Sequence, residues 1–351
     1  MKPFDYLIIG QGLAGSVLAA LLVERGRSFV VIDDHHRQAA SRAAGGIINP
    51  ITGKRLNRPA LIDELLRHAF STYPVVEQLL HERIFIRRNV LRLFTDQKEA
   101  FLWKAKQDLP EYQKHVSRSS PEVPANVLHS HGGIEITTAA QLDIRRLIER
   151  MRSWLRQQDR IRDEPVRYDQ IRVSSTGVQW RGMRAQFAVF CEGHGMRANP
   201  YFNAIKLNPA KGDVLTLHAP EFSESRIIQK GKWIFRSLSG EVLAGTTYRW
   251  DDWDGIPTAK AKEEIQQGLS EFCRFGFTIE DQRTGVRAVT KLDNRPLVGA
   301  HPLWPRLAIL NGFGSKGALQ VPFAARQLLE NLETGSYLHP EFDVCRPSLW
   351  K

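Results

Sequence analysis

The hydrophobic pattern at the N-terminus predicts a strand, a tight turn and a helix in immediate succession. The apolar run 6–9 leads into Gly10-Gln11-Gly12-Leu13-Ala14-Gly15, and residues 16–25 are predicted to form a helix that ends at Gly26. In such a turn the first glycine permits the bend, the second lets the backbone approach a pyrophosphate, and the third lets helix and strand pack closely. The free amides and the positive end of the helix would then face phosphates.

A second apolar strand, predicted over 28–32, ends in Asp33 and Asp34. Asp33 follows Gly10 by 23 residues, where an acid can accept hydrogen bonds from an adenosine ribose and disfavours a 2′-phosphate. The glycine turn, its place between strand and helix, and this acid together predict a dinucleotide site, with a turn that serves packing alone as the alternative. This unit by itself does not decide between FAD and NAD.

The same succession recurs near the C-terminus. The apolar run 307–310 predicts a buried strand, and Asn311-Gly312-Phe313-Gly314-Ser315-Lys316-Gly317 opens a helix that continues to about residue 332. A second helix N-terminus suits a flavin, because a reduced flavin carries negative charge at N1 and at the C2 carbonyl oxygen. Reduced nicotinamide carries no such charge, so the pair of loops favours FAD.

The chain is basic, with a formal net charge of +11 and a pI near 9.7. This charge favours polyanions such as RNA as partners, and solvated arginines are the alternative explanation. Much of the excess lies within 83–92 and 145–167. In the second segment apolar residues recur at helical spacing, so the arginines between them are expected to form an exposed face.

Three absences narrow the class of protein. No apolar run approaches the roughly 20 residues of a membrane-spanning helix. The 3 cysteines form no CxxC pair, and no histidine cluster has the spacing of metal ligands. The first strand begins around Phe4 and leaves no room for a cleavable leader. We therefore expect a cytoplasmic protein with no metal and no membrane segment.

A run of small residues, Ala39-Ala40-Ser41-Arg42-Ala43-Ala44-Gly45-Gly46-Ile47, follows the first unit. Together with the glycine turn it resembles the superfamily of FAD-dependent D-amino-acid oxidases and glycine oxidases. The resemblance implies that Ser41 contacts the FAD pyrophosphate and that Ala44, Gly45 and Gly46 lie against the flavin. Arg42 stands about where some relatives carry a linking histidine, so FAD is expected to be bound non-covalently.

The same resemblance extends to the middle of the chain. A predicted strand over 187–190 runs into Cys191-Glu192-Gly193-His194-Gly195, where relatives have an Ala-Ala-Gly-like turn at the FAD-binding face. Glu192 departs from that turn and Gly193 keeps its glycine, which leaves the role of Glu192 open. Val166, after Pro165, corresponds to the family's backbone contact to adenine.

Within the superfamily the motifs are most similar to those of the C-terminal oxidase domain of a bifunctional enzyme that modifies the wobble uridine of tRNA. The similar segments are Arg287-Ala-Val-Thr290, Asp293-Asn-Arg-Pro-Leu-Val-Gly299, Gly312-Phe-Gly-Ser-Lys-Gly317 and Gly245-Thr-Thr-Tyr-Arg-Trp-Asp251. Because the dinucleotide fold begins at residue 5, we expect no methyltransferase domain before it, which places the tRNA substrate in question.

The resemblance implies an α/β (α+β) fold, a Rossmann-like FAD-binding domain with an interleaved antiparallel-sheet substrate domain. A chain of 351 residues also exceeds the usual size of a single core. Apolar stretches at 84–93, 213–217, 233–235 and 242–247 supply strands for the second lobe. The expected division is 1–70, 140–200 and 284–351 for FAD, and 71–139 and 201–283 for substrate.

Arg287 is the candidate anchor for the substrate, because a guanidinium can hold a carboxylate with two parallel hydrogen bonds. In amino-acid-oxidising relatives an arginine in a Gly-hydrophobic-Arg segment has this role, and Gly285-Val286-Arg287 matches it. A salt bridge at the surface or between domains is the alternative. Lys316 could stabilise the reduced flavin or help to activate oxygen, or it could point to water.

Further candidates are weaker. Asn49, Lys54 and Arg55 follow the small-residue run and could meet an acidic substrate, or belong to an ordinary loop. Tyr248 and Trp250 could be site walls or core aromatics.

We expect an FAD-dependent oxidoreductase that oxidises the C–N bond of an amino acid or secondary amine by hydride transfer to flavin N5. The alternatives are removal of a carboxymethyl group from a tRNA uridine and FAD binding without catalysis. The sequence leaves open the amine, the electron acceptor and the oligomeric state.

Overall fold

Strands and helices follow one another along the chain in a computed structural model that describes residues 3–34 and 39–350. The strands are β1 (Phe4–Ile9), β2 (Phe29–Ile32), β3 (Ile47–Ile48), β4 (Phe85–Arg87), β5 (Val90–Leu93), β6 (Gly133–Ile136), β7 (Ala140–Leu142), β8 (Ile161–Arg162), β9 (Ile171–Val173), β10 (Val178–Trp180), β11 (Met183–Phe190), β12 (Ala210–His218), β13 (Ile227–Lys230), β14 (Lys232–Arg236), β15 (Val242–Gly245), β16 (Thr278–Arg287), β17 (Leu297–Ala300) and β18 (Leu307–Asn311).

The helices are α1 (Leu13–Glu24), α2 (Ala40–Ala43), α3 (Ile62–Leu80), α4 (Gln97–Lys104), α5 (Pro110–Gln113), α6 (Ile144–Gln157), α7 (Ala259–Ser270) and α8 (Gly317–Thr334). Within the described ranges, no helix combines the length and apolar composition that crossing a membrane requires.

An eight-stranded sheet carries the N-terminal unit. Its main path is β17-β18-β11-β1-β2-β8, and β10 and β9 extend it beside β11. The five strands from β18 to β8 pair in parallel, so their carboxyl ends meet at one edge. Gly10, Asp33, Cys191 and Gly312 all follow strands of this group at or next to that edge. Ligands of open α/β sheets bind in this position.

Helices α1, α3, α6 and α8 pack together on one face of this sheet. Their apolar side chains join those of β1, β2, β11 and β18 in one core. In α6 the apolar residues Leu147, Ile148, Met151 and Leu155 are buried, as their spacing predicts. The expectation that the arginines between them all face solvent is wrong for Arg152, which is buried with them.

A seven-stranded sheet in the order β16-β12-β15-β14-β13-β5-β6 forms the second layer. Neighbouring strands are antiparallel except β13 and β5, which run in parallel. Two further apolar clusters cover its faces, and one of them includes α7. A small sheet, β3-β7-β4, is hydrogen-bonded to neither of them. The expected α/β (α+β) fold, a Rossmann-like parallel sheet with an interleaved antiparallel sheet, is confirmed.

Two of the expected domain boundaries fall inside regular elements. The boundary after residue 70 cuts α3, and the boundary after residue 283 cuts β16. Since α3 packs against α1 and α8, we propose that the whole helix belongs to the FAD-binding lobe. Strand β16 pairs with β12 along its length and ends at the candidate anchor Arg287, so it joins the two lobes.

Candidate active site

A cavity of about 750 Å³ lies between the carboxyl edge of the parallel sheet and the antiparallel sheet. This volume is typical of a cofactor or ligand site. It is lined by the candidate anchor Arg287 and by most of the predicted cofactor-binding residues, namely Gly10, Gly12, Leu13, Ala14, Asp33, Asp34, Ser41, Ala44, Gly45, Gly46, Val166, Glu192, Gly193, Gly314, Ser315, Lys316 and Gly317. Two predicted residues, Gly15 and Gly312, lie behind this wall.

The first glycine turn has the close contacts that its spacing predicts. Gly10 has a φ of +100°, and a Cβ atom there would lie 2.5 Å from the carbonyl oxygen of Cys191. A Cβ atom on Gly15 would lie 1.9 Å from the carbonyl oxygen of Gly10. Gly15 therefore serves the packing of helix on turn, while Gly12 is exposed to the cavity at the N-terminus of α1.

Ser41 contacts this turn directly. Its Oγ accepts a hydrogen bond of 3.0 Å from the amide of Leu13, in the first turn of α1. A hydroxyl that accepts in this way still has its own proton to donate. Ser41 is therefore placed to donate to an anion at the helix N-terminus, as the predicted pyrophosphate contact requires.

The small residues after Ser41 permit close approach of two other elements. A Cβ atom on Gly46, which has a φ of +68°, would lie 1.8 Å from the carbonyl oxygen of Leu142. One on Gly45 would lie 2.7 Å from the ring of Trp233, on β14. The small-residue run is thus in close contact with β7 of the small sheet and with an aromatic side chain of the antiparallel sheet.

Asp33 is held at both carboxylate oxygens. Its Oδ2 accepts a bond of 2.8 Å from the amide of Gln11, and its Oδ1 accepts one of 2.6 Å from Nη1 of Arg152. Asp34 is exposed beside it and lines the same end of the cavity. A carboxylate oxygen can accept more than one hydrogen bond, and acceptance from ribose hydroxyls is the role predicted for Asp33.

Glu192 occupies a polar cluster at this end of the cavity. Its carboxylate accepts bonds of 2.6 Å from the Tyr168 hydroxyl and 2.8 Å from the Asn199 amide. Burial raises the pKa of Glu192 to about 7, although both hydrogen bonds act in the opposite direction. Val166 and Tyr168 line the cavity next to it. The role that the sequence left open is therefore at least structural, because Glu192 joins β11 to these segments.

The second glycine loop meets the first. The Asn311 amide donates to the carbonyl oxygen of Gly193 at 2.9 Å, which ties the loop to the turn after β11. A Cβ atom on Gly317 would lie 3.4 Å from the Leu13 side chain, so the N-termini of α8 and α1 face the same cavity. Gly312, with a φ of +78°, turns the backbone behind them.

Lys316 is the N-cap residue of α8 and is exposed at the cavity wall. Within the described ranges it forms no ion pair. Its ammonium group and the helix N-terminus both bring positive charge to this side of the cavity.

Arg287 reaches the cavity from the end of β16. Its Nη2 donates to Oγ1 of Thr246 at 2.9 Å and its Nη1 to the carbonyl oxygen of Thr247 at 3.3 Å. Burial lowers the pKa of Arg287 from its ordinary value, but an arginine in a protein stays charged. Its guanidinium also lies 4.5 Å above the centre of the Tyr248 ring.

No carboxylate pairs with Arg287 in the part of the chain that the structure describes. The salt bridge considered as an alternative is therefore not found there. Gly285, two residues earlier, would bring a Cβ atom within 2.8 Å of Ala40, so the arginine segment lies directly against the small-residue run. This contact brings the predicted substrate anchor next to the predicted flavin surface.

Some of the weaker candidates line the cavity and others do not. Asn49 lines the cavity and donates to Oε1 of Gln229 at 3.2 Å, and Tyr248 lines it beneath Arg287. Lys54 and Arg55 are exposed outside the lining, and so is Trp250.

Sequence reasoning missed the residues that the antiparallel sheet contributes to the wall: Gly212, Val214, Gln229, Trp233 and Thr246. The alternation within 233–235 shows that two side chains share a face of β14, but it does not show that this face meets a cofactor cavity. Among the described residues no group of three or more His, Cys, Asp or Glu side chains could hold a metal ion.

Comparison with known proteins agrees with this geometry. The family model DAO, described as FAD dependent oxidoreductase, matches residues 5–331. Glycine oxidase from Pseudomonas aeruginosa is 24% identical over 357 residues, which cover 94% of this chain and 92% of that protein. The solved structure of iminodiacetate oxidase from a Chelativorans species has a TM-score of 0.77 at 21% identity, with 95% of this chain and 96% of that chain covered.

A bifunctional relative is also found. The tRNA 5-methylaminomethyl-2-thiouridine biosynthesis bifunctional protein of Nitrosospira multiformis is 22% identical over 370 residues. The match covers 93% of this chain and 56% of that protein. Residues of both glycine turns, the predicted ribose acceptor Asp33 and residues of the small-residue run line one cavity. The chain belongs to the DAO family of FAD-dependent oxidoreductases.

Proposed function

We propose that this oxidoreductase acts on an amino acid or secondary amine that carries a carboxylate, and that it removes hydride from the carbon next to nitrogen. The observation that carries this proposal is Arg287, a guanidinium in the cavity wall without a carboxylate partner among the described residues. A charged group in such a place is costly unless a ligand supplies the opposite charge. A substrate carboxylate would supply it.

The hydrogen bonds of Arg287 leave room for this partner. A guanidinium has five N–H donors, and the bonds to Thr246 and Thr247 use two of them. The remaining donors suffice for a bidentate carboxylate, which fixes both the position and the orientation of the substrate.

The rest of the wall positions the reacting carbon. FAD, when bound, supplies the hydride acceptor at N5 of its flavin ring. Trp233, which packs against Gly45 of the small-residue run, and Tyr248 both present aromatic surfaces to the cavity, so they exclude water and confine the substrate. Orientation of this kind accounts for a large part of the rate in reactions that need no separate nucleophile. Lys316 and the N-terminus of α8 are proposed to stabilise negative charge on the reduced cofactor.

The relatives support a carboxylate-bearing substrate. Glycine and iminodiacetate, the compounds in the names of two similar oxidases, both combine a carboxylate with an amine. These names do not choose between primary and secondary amines for this chain.

The test is reduction of the bound flavin without oxygen. The purified protein would be mixed anaerobically with glycine, sarcosine, iminodiacetate and proline, and with methylamine and dimethylamine as matched amines that lack a carboxylate. Bleaching by a carboxylated amine and not by its matched amine supports the proposal. Equal bleaching by both would contradict the role of Arg287. Release of free FAD by acid precipitation would test the prediction of non-covalent binding.

Removal of a carboxymethyl group from tRNA remains the second candidate, since one relative is a tRNA-modifying enzyme. The basic segments do not strengthen it, because several of their arginines are already ion-paired. Arg146 and Arg150 pair with Glu82, and Arg145 pairs with Glu241. A tRNA substrate predicts binding that weakens steeply with salt, which a filter-binding assay at increasing salt would measure.

A further inference from the structure

Arg152 is a buried arginine on α6, the helix whose arginines the sequence assigns to solvent. It is 4% exposed and lies on the same side of the helix as Ile148 and Met151. A buried guanidinium destabilises the fold unless other groups compensate its charge. The groups that compensate the charge of Arg152 therefore indicate its function.

Two carboxylates compensate Arg152, and they follow neighbouring strands. Nη1 donates to Oδ1 of Asp33 at 2.6 Å, and Nη2 donates to the carbonyl oxygen of Asp33 at 3.2 Å and to the carboxylate of Asp163. Asp33 follows β2 and Asp163 follows β8, which pairs with β2 in parallel. The guanidinium thus bridges the ends of two adjacent strands at the ligand-binding edge.

The glycine turn is part of the same network. Gln11 is buried, and its Oε1 accepts from Nη1 of Arg152 at 3.2 Å. Its amide side chain donates to Oγ of Ser16 and to the carbonyl oxygen of Ile148, both at 2.9 Å. Its backbone amide donates to Oδ2 of Asp33. Arg152 and Gln11 therefore hold the two oxygens of one carboxylate from opposite sides.

We propose that Arg152 is a positioning residue for FAD, one that orients the Asp33 carboxylate toward the adenosine ribose. Each carboxylate oxygen can accept more than one hydrogen bond. A carboxylate that the protein holds at both oxygens presents them to the ribose hydroxyls in one orientation, whereas a rotating one would lose part of this hydrogen bonding to entropy.

The charges agree with recognition of hydroxyl groups. Arg152 and Arg156 balance the charges of Asp33 and Asp163, and the exposed Asp34 beside them adds a negative charge, which suits hydrogen-bond donors and disfavours a phosphate on the ribose. Burial would raise the pKa of Asp163, but Arg156 and Arg152 hold it below its ordinary value. Asp163 therefore stays ionised and keeps Arg152 in place at neutral pH.

The test compares binding of FAD with binding of its 2′-deoxyadenosine analogue. Flavin would be removed from the wild type and from Arg152→Met, and each ligand would be titrated back while the quenching of flavin fluorescence is followed. We expect Arg152→Met to weaken FAD binding about tenfold, since the bond it supports is charge-assisted. The analogue should be weakened less, so the preference for FAD should fall.

The ratio of the two dissociation constants separates positioning from packing. If Arg152→Met weakens both ligands by the same factor, or neither, the proposal is wrong. The matched control is Arg150→Met, which removes an exposed arginine of the same helix that pairs with Glu82 and not with Asp33, so its ratio should stay near that of the wild type.

Should Arg152→Met fail to fold, Arg152→Lys decides the question. Lysine keeps the charge but lacks the planar fork that spans both carboxylates. For Arg152→Lys the ratio of the dissociation constant of the analogue to that of FAD should also fall. A ratio equal to that of the wild type would overturn the proposal. Because these are binding measurements, they do not depend on which amine is oxidised.

Discussion

The guanidinium carbon of Arg287 lies 4.5 Å from the centre of the Tyr248 ring. The two residues come from different elements, the end of β16 and the loop after β15, and they meet at the wall of the cavity. A cation over an aromatic face gains about 0.5–2 kcal/mol, depending on how far it is removed from water. This contact and the bond to Thr246 keep the guanidinium in one orientation before a substrate arrives.

Replacement of Arg287 should impair catalysis and spare the cofactor. We expect Arg287→Met to lower kcat/KM for a carboxylated amine by about 100-fold, because a charge-assisted bidentate contact is lost. Anaerobic stopped-flow reduction of the flavin would measure this effect. Arg287→Lys, which keeps the charge but not the fork, should recover only part of the rate. Unchanged kinetics in Arg287→Met would exclude the carboxylate anchor.

Lys211 is a buried lysine on β12 that holds the loop after Tyr248. Its ammonium group is 2.6 Å from Asp252 and 2.7 Å from Asp254. We expect Lys211→Met to raise KM roughly tenfold and to change kcat less, since the loop would no longer hold Tyr248 in place.

Exposed Lys206 provides the matched control for this variant, because its ammonium group bonds, among the described residues, to the nearby carbonyl oxygen of Asn203 and to no carboxylate. Lys206→Met should leave KM as it is. A change of KM in Lys206→Met equal to that in Lys211→Met would contradict a specific effect of the loop anchor.

Glu192 should make stability depend on pH. Its pKa is raised from 4.5 to about 7 by burial. The unfolded chain loses this proton near pH 4.5 and the folded chain keeps it to about pH 7, so the free energy of unfolding falls as pH rises between these values. Above pH 7 both states are ionised and the fall ends.

Glu192→Gln should remove this fall. Urea titrations of the wild type and of the variant at several pH values from 4.5 to 8 would show it as a flatter profile for the glutamine variant. Parallel profiles would mean that Glu192 does not titrate in this range.

Alanine substitutions at Gly46 and Gly26 distinguish the stability cost of backbone strain from the cost of a close contact. Their φ angles, +68° and +64°, are nearly equal, but a Cβ atom would meet the Leu142 carbonyl oxygen at 1.8 Å on Gly46 and nothing within 4 Å on Gly26. Gly26→Ala should cost about 1–2 kcal/mol, the strain of a left-handed residue.

Gly46→Ala adds a collision with backbone that no rotamer relieves, so it should cost more than about 3 kcal/mol and weaken FAD retention. Urea denaturation and the flavin content of the purified variants would measure both effects. Equal losses in the two variants would show that β7 can move away from the small-residue run.

Some features of the site could be predicted from neighbouring residues alone. Gly15 acts through its contact with Gly10, within a turn and helix that the local pattern already predicts. The role proposed for Arg287 came from its place in Gly285-Val286-Arg287, which matches a Gly-hydrophobic-Arg segment of relatives. In each case the sequence order of the residues carries the information.

Other features depend on elements far apart in the chain. Trp233 lies on β14 and Thr246 directly follows β15, and the pattern of these strands predicts a sheet but not the face that meets the cavity. Arg152 was assigned to solvent because helical spacing distinguishes an apolar stripe from a polar one, and it cannot show that two carboxylates compensate a charge inside the stripe.

The sequence by itself determined the dinucleotide unit, the second helix N-terminus and the choice of FAD, because short-range geometry requires glycines, small residues and an acid at set spacings. The tertiary structure decided which side chains complete the cavity and which charges are paired. These properties depend on the packing of β12, β14 and β16 against the small-residue run and of α6 against β2, and long-range packing leaves no fixed spacing in a single sequence.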